Sequence, residues 1–447
     1  VFQLLNMCLG FLGIQFAWSI QMGQMSAIYE RLGATPEQLS LFWIAGPITG
    51  MIIQPLIGSM SDRTWGRLGR RRPYFLTGAI LASIALVLMP NSPSLWAAAS
   101  LLWILDASIN IGMEPFRALV ADITPPEQRG TAYAFQSFAI GVGSVLSFGI
   151  GGLLILPLIE KNFGALGKSF VAQIKPICPT SVHFLFYLGA LVLLLSITWT
   201  IANTKEYPPN SPLEKAGIFD WLKETYSSIG EMPSEMKKLA LVQFFTWFGF
   251  FCLFIYFSTT VARNVFHALP NTEAYNQGIA WASFCFLALN MVCFLSSALL
   301  GVLSNFFRKK DLHTLALCLG GLSLIGMAFA GSPLVMMLLM GILGIAWAAT
   351  LSIPYALLSQ HLPPSKMGIY MGTFNIFICL PELLCSLSSG KIVAFFGGNQ
   401  ASALAVGGCS MLLAALFIQR VKEDKVVKES YPALVKGNTS SPVEPVV

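Results

Sequence analysis

Runs of about twenty predominantly apolar residues, the length an α-helix needs to cross a hydrocarbon core of about 30 Å, recur twelve times along this chain. They fall near 3–25, 40–60, 73–90, 94–119, 132–157, 182–202, 238–262, 276–304, 312–331, 333–358, 368–390 and 401–419. Of the 447 residues, 55% are hydrophobic and 11% charged, with a mean hydropathy of +0.69, so lipid is the solvent the chain is written for. A membrane β-barrel would show alternating segments of about ten residues instead. The expectation is an all-α polytopic membrane protein with twelve transmembrane helices and the lipid bilayer as its first partner.

The longest polar interruption, 203–237, divides the spans six and six. It predicts an N-terminal six-helix bundle over 1–202, a cytoplasmic central loop over 203–237, a C-terminal bundle over 238–420 and a cytoplasmic tail over 421–447. Internal repetition supports the division. "PFRALVADITPPEQRG" from Pro115 resembles "PYALLSQHLPPSKMG" from Pro354, and "GSMSDRTWGR" from Gly58 is echoed by "GVLSNFFRKK" from Gly301. Two related six-helix halves in pseudo-symmetry are the mark of a transporter with its substrate site between them near midplane.

Orientation follows from the basic residues, which crowd alternate loops. Arg63, Arg67, Arg70, Arg71 and Arg72 lie between spans two and three, Arg308, Lys309 and Lys310 after span eight, and Arg420, Lys422, Lys425 and Lys428 after span twelve, whereas the "PNSPS" turn is uncharged. Both termini are therefore expected in the cytoplasm, in a cell membrane and more narrowly a bacterial inner membrane, with the protein monomeric. The stretch from Val1 shows no cleavable signal. Basic loops and anionic headgroups account for the net charge of +6 without a nucleic-acid partner. Most of the nine cysteines sit in apolar spans with no C-x-x-C pair, and the four histidines are scattered, so no redox or metal site is expected. Nor is there a G-x-S-x-G or a Walker loop; the chain is expected not to be an enzyme and to draw on a gradient.

Span four breaks the apolar rule. "WILDASINIGMEPFRALVAD" carries Asp106, Glu114 and Arg117 and ends on Asp122. Asp106 lies near midplane, where a carboxylate costs about 2.5–3.5 kcal/mol or more, so it must face a cavity. Eleven residues bring Asp106 and Arg117 to one helix face but about 16 Å apart along the axis, too far to pair. Asn110, one turn from Asp106, is a natural neighbour for a substrate hydroxyl. Glu114, three residues before Arg117, reads as a static i,i+3 partner or as a second proton site.

Polar and aromatic residues recur on other spans. Gln15, Trp18 and Gln21 step at i,i+3 along span one, a face that either offers stacking and amides to a polar ligand or packs between helices. Gln54, Gln136, Ser137, Gln243, Trp247, Asn375 and Glu382 are further candidates in spans two, five, seven and eleven, each equally readable as a helix–helix hydrogen bond or contact. Few ionisable residues fall inside the C-terminal spans, which assigns proton work to the first half.

The loop "GSMSDRTWGRLGRRRP" resembles the signature loop of the major facilitator superfamily, with Gly58, Asp62, Arg63, Arg67, Arg70 and Arg71 in the matching places and Asp122 as the facing acid. Charge-assisted hydrogen bonds there suit a cytoplasmic gate. Several stretches together, "GIQFAWSIQ", "GPITGMIIQPLIGSMSDR", "GRRRPY", "WILDASIN", "PFRALVAD", "YNQGI" and "SIPYALLS", resemble the plant-type sucrose transporters and their animal and bacterial relatives. That resemblance implies proton-coupled uptake of sucrose or a related glucoside, with the proton as coupling ion and no other cofactor, Asp106 as the protonatable carboxylate, Arg117 as its essential partner, and span one at the substrate. The chain departs from the family at Glu114, where a small residue is usual. It departs again in "TVARN", which keeps Arg263 but has Thr259 and Asn264 where the family carries acids. An efflux antiporter for amphipathic compounds or a non-transporting sugar sensor would use the same superfamily loop.

Overall fold

The computed structural model describes residues 2–125, 128–206, 230–359 and 367–423. Outside them lie most of the central loop (207–229), Pro126 and Glu127 of the first repeat, the 360–366 stretch of the second, and the tail from 424 with Lys425 and Lys428. The described chain is helical, arranged as α1 (Phe2–Arg31), a short α2 (Leu39–Phe42), α3 (Ala45–Asp62), α4 (Arg72–Leu88), α5 (Leu95–Ile123), α6 (Arg129–Gly152), α7 (Ile155–Asn162), α8 (Gly164–Ile174) and α9 (Ser181–Asn203) in the first half. The second half holds α10 (Ser234–Thr260), α11 (Glu273–Leu303), α12 (Lys309–Phe329), α13 (Pro333–Ser359), α14 (Met367–Phe395) and α15 (Ala401–Ile418). Eleven of the spans are long and apolar enough to cross a membrane by composition, and α1, at 30 residues, is the twelfth long helix. The twelve-helix expectation holds.

Several boundaries differ from the sequence reading: α1 runs on to Arg31, α5 to Ile123 and α14 to Phe395, and two further shifts have a local cause. Span five stops at Gly152 and not at 157, because Leu154 adopts a left-handed backbone (φ 45°) that ends α6 and turns the chain into α7 and α8. These two short helices cover the end of the bundle opposite the basic loops. The seventh span starts at Ser234, four residues before the expected 238, with Pro233 ahead of it as a stop on the linker side.

Local chemistry explains many helix ends. Ser94, Thr180 and Thr272 each accept a backbone N–H three residues on, capping α5, α9 and α11 at the end away from the basic loops. At the basic end, Glu206 accepts from the backbone N–H groups of Arg70, Arg71 and Arg72 where α4 begins, and Glu423 accepts from those of Lys309 and Lys310 where α12 begins. Each acid follows the last span of its half and caps the third span of the same half. The pseudo-symmetry seen in the repeats thus extends to the caps, and Pro115 and Pro354 lie inside the corresponding helices α5 and α13.

Within the first half α1 packs against α6 and α9, and α4 against α5 and α9; within the second, α15 packs against α10 and α12, and α11 against α13. Small residues set the closest crossings. A Cβ on Gly78 would lie 2.6 Å from the Ser108 carbonyl and 2.8 Å from the Gly112 nitrogen, so α4 meets α5 backbone to backbone. Between the halves, α6 meets α11, α1 meets α10, and α14 meets α2 and α3.

Candidate functional site

Asp106 occupies the middle of α5 at 5% exposure. Its Oδ1 accepts a hydrogen bond of 2.7 Å from Gln21 Nε2 on α1, while Oδ2 is buried with no hydrogen-bond partner. The i,i+3 face of α1 therefore delivers an amide to the carboxylate. Trp18, one turn along the same face, is half-buried and meets Phe254 of α10 edge-on at 5.9 Å, and Gln15 is half-buried beyond it.

Below Asp106 the amides join the two halves. Asn110 Nδ2 donates to the Asp106 backbone carbonyl (2.9 Å) and to Thr49 Oγ1 (3.2 Å), and its Oδ1 accepts from Gln54 Nε2 at 2.7 Å. Asn375 Nδ2 on α14 then donates to Gln54 Oε1 at 3.4 Å. Asn110, Gln54 and Asn375 form one chain from α5 through α3 to α14.

Glu114 and Arg117 form the i,i+3 pair foreseen, at 3.7 Å, with side chains 37% and 47% exposed. Arg117 also reaches Met113 Sδ at 3.6 Å. Arg117 lies within electrostatic range of Tyr355 on α13 of the second half. Gly58 lies against Glu114, where a Cβ would come within 3.7 Å of its Cγ.

The wall contributed by the second half is aromatic. Trp247, foreseen, meets Trp347 at 5.6 Å, and Trp347 meets Phe250 at 4.8 Å and Phe254 at 5.8 Å. Gln243 is fully buried with both amide atoms lacking hydrogen-bond partners, and Gln136 on α6 is buried with a free Oε1. Ser137 is exposed. Trp347 and Phe254 escaped the sequence reading, since aromatics in apolar helices carry no signal of which side they face.

At the basic loops, Arg71 is 3% exposed and joins three helices. Its guanidinium contacts Asp62 at the end of α3, Asp122 near the end of α5 (2.9 Å) and the Ser61 hydroxyl, while Arg70 reaches Asp62 at 3.0 Å. All these groups belong to the first half. Arg67 points into solvent and Arg63 is half-buried.

The opposite end is shut by a cluster the sequence did not disclose. Glu30, its side chain wholly buried near the end of α1, accepts from Arg263 Nε at 2.9 and 3.1 Å, from the Tyr275 hydroxyl at 2.6 Å and from Gln400 Nε2. Arg263 sits in a π-helical turn, Val261–Val265, that ends α10. Next to it Arg31 donates to Asn276 at 2.8 Å and its backbone carbonyl accepts from Asn271. The acids missing around Arg263 in "TVARN" are thus replaced by one from the other half. The available signal was Glu30 itself, a carboxylate late in a span.

Two six-helix halves, joined at one end through the buried Glu30 cluster and carrying a buried carboxylate near their seam, define a membrane carrier with its site between the halves. The chain belongs to the Major Facilitator Superfamily, whose family model matches residues 7–384 and again 239–442. Relatives include a sucrose transport protein of Arabidopsis thaliana, 26% identical with 90% of this chain and 86% of that one covered. A sucrose transport protein of Oryza sativa subsp. indica is 27% identical over 90% and 89%, and the general alpha-glucoside permease of Schizosaccharomyces pombe 24% identical over 92% of both. Among solved structures, the nucleoside transporter NupG superposes with a TM-score of 0.68 at 11% identity over 94% of this chain and 98% of that one. A D-xylose–proton symporter superposes at 0.65 with 16% identity over 94% and 97%. The protein is a multi-pass membrane transporter and not an enzyme.

Proposed function

We propose that this transporter is a proton-coupled symporter that imports sucrose or a related disaccharide or glucoside by alternating access, with the basic loops and both termini on the cytoplasmic side of a cell membrane. The observation that carries the reading is the Asp106 carboxylate, held through one oxygen by Gln21 of the polar–aromatic face of α1 and left without a partner on the other. A group so placed can gain or lose a proton while its helix neighbour touches substrate. The relatives named for sucrose and alpha-glucosides support the substrate class. Gln15 and Trp18 supply an amide and an aromatic face, and the aromatic wall of Trp247, Trp347 and Phe254 supplies apolar surface against sugar C–H groups.

In this cycle Asp106 takes a proton when the end bearing Glu30 is open and releases it toward the basic loops, and the clusters at Glu30 and Arg71 steady the two ends. Coupling requires protonated and ionised Asp106 to favour different conformations. The test is reconstitution in proteoliposomes. Wild-type protein concentrates sucrose under an inward proton gradient and carries protons with it; Asp106→Asn, which keeps size and hydrogen bonding, reaches only equal concentrations while still exchanging sugar. Accumulation by the Asn variant against a gradient would move the proton site to another residue, Glu114 first.

The aromatic wall equally suits amphipathic substrates, which favours a second reading as a proton-driven efflux antiporter. In the same vesicles that reading expects proton and substrate to move in opposite directions.

A further inference from the structure

Glu382 lies in α14, on the other half of the molecule from Asp106, and the register between helices brings it to the same depth. Asn375 meets Gln54 of α3 by a hydrogen bond, and four residues on, Cys379 lies where a Cβ on Gly50 would be 3.4 Å from its Sγ. Glu382, the next residue of that face, falls opposite Gly46. A Cβ on Gly46 would in turn lie 3.7 Å from Asp106 Oδ2, the oxygen that has no partner. Gly50 thus faces α14 and Gly46 faces α5, and the Glu382 and Asp106 carboxyl groups lie within electrostatic range of each other. Glu382 makes no hydrogen bond or ion pair among the described residues.

Of the other ionisable groups around α14, Lys391 of the same helix is exposed and Glu37 lies against Gly390 and Gly398 beyond it, both toward the Glu30 end. Cys379 lies beside Glu382 on the same helix, and Cys252 of α10 is engaged with Cys385, with Tyr256 near Ser389. Asp62 on α3 and Glu235, Lys237 and Lys238 on α10 sit at the basic end, and Cys409 of α15 is exposed. Tyr29 of α1 faces Asp106 from the far side, and Tyr355 of α13 lies between Cys379 and Arg117. Two carboxyl groups without a cation between them remain.

Resting on the proton-coupled reading above, we propose that Glu382 is the second coupling carboxylate: Asp106 and Glu382 share one proton across the seam between the halves. The proton comes from cavity water, is bonded to one carboxyl oxygen and hydrogen-bonded to the other carboxylate, and returns to water when it leaves. No other reactant is needed. Two carboxylates at close range hold their first proton more tightly than either alone. Because the two belong to different halves, rocking of the halves alters their separation and with it the affinity for the proton, which is the state dependence coupling demands.

The experiment measures initial sucrose uptake into proteoliposomes, with a fixed inward proton gradient, as a function of pH, together with sucrose-induced thermal stabilisation to establish folding. Glu382→Gln removes the neighbouring charge, and the midpoint of the pH profile is expected to move about one unit toward acid while sucrose–sucrose exchange persists. Glu382→Asp keeps the charge at greater distance and should move the midpoint the same way by less; it is the variant to read if the Gln form does not fold. An unmoved midpoint in the folded variants overturns the shared proton. If Asp106→Asn abolishes accumulation while that midpoint stays in place, the symporter reading stands and the pair falls. If the wild type ignores a proton gradient, or follows a sodium gradient instead, both fall.

Discussion

Arg263, in the π-helical turn that ends α10, donates from Nε to both carboxylate oxygens of Glu30 on α1, across the seam between the halves. Tyr275 and Gln400 complete the shell, so a single carboxylate of the first half is satisfied entirely by groups of the second. Opening that end must break all of these bonds together. A charge-assisted bond contributes about 1.5–3 kcal/mol, enough to bias the conformational equilibrium strongly toward closure.

Glu30→Gln is therefore expected to favour opening at that end. A loss of about 2 kcal/mol shifts a two-state ratio roughly 30-fold. Spin labels at Thr35 and Leu269, exposed positions on either side of the seam, should report longer distances in the variant. An unchanged distribution would show that apolar packing alone closes this end.

Trp18→Ala and Gln15→Ala test the face of α1. Trp18 is half-buried against Phe254 of the other half, so its loss should weaken sucrose binding about tenfold, the magnitude of a good aromatic contact, and leave the fold intact. Sucrose-induced thermal stabilisation with monodisperse protein is the readout. Equal stabilisation of wild type and both variants would remove α1 from the substrate site.

The clamp at the basic loops separates folding from cycling. Arg71 is buried and holds Asp62 and Asp122 together, so Arg71→Ala removes both contacts, and because both acids are at least a third exposed and Asp62 keeps Arg70, the cost should be about 1–2 kcal/mol, visible as a lower melting temperature. Asp62 is more than half exposed, and Asp62→Asn leaves Arg71 bound to Asp122. That variant should fold and bind sucrose normally but exchange it more slowly. Lost binding with fast exchange per bound sugar would contradict the assignment.

The α4–α5 crossing gives a stability test independent of transport. Gly78→Val places a side chain against the Ser108 carbonyl and the Gly112 nitrogen, backbone that cannot step aside, and should destabilise by at least about 1–3 kcal/mol. Gly141→Ala, with open space around its Cβ position, is the neutral control. Equal melting temperatures for the two would mean the crossing has slack.

Sequence alone determined the features that depend on one helix at a time. Twelve spans follow from run length and the bilayer thickness, the unusual carboxylate of α5 stands out because charge is costly there, and the Glu114–Arg117 pair follows from helical spacing. The Asp62–Arg71 clamp was legible as a motif, although its two-acid form, with Asp122, needed α5 to be placed. Only the tertiary structure decided which helix supplies each partner: Glu30 to Arg263, Gln21 to Asp106 and Asn375 to Gln54. The reason is that helical periodicity sets which residues share a face but not the rotation or depth at which that face meets another helix. Those are set by contacts such as Gly46, Gly50 and Gly78, where the absence of a side chain lets two helices approach in one register, and that absence has meaning only once the neighbour is in place.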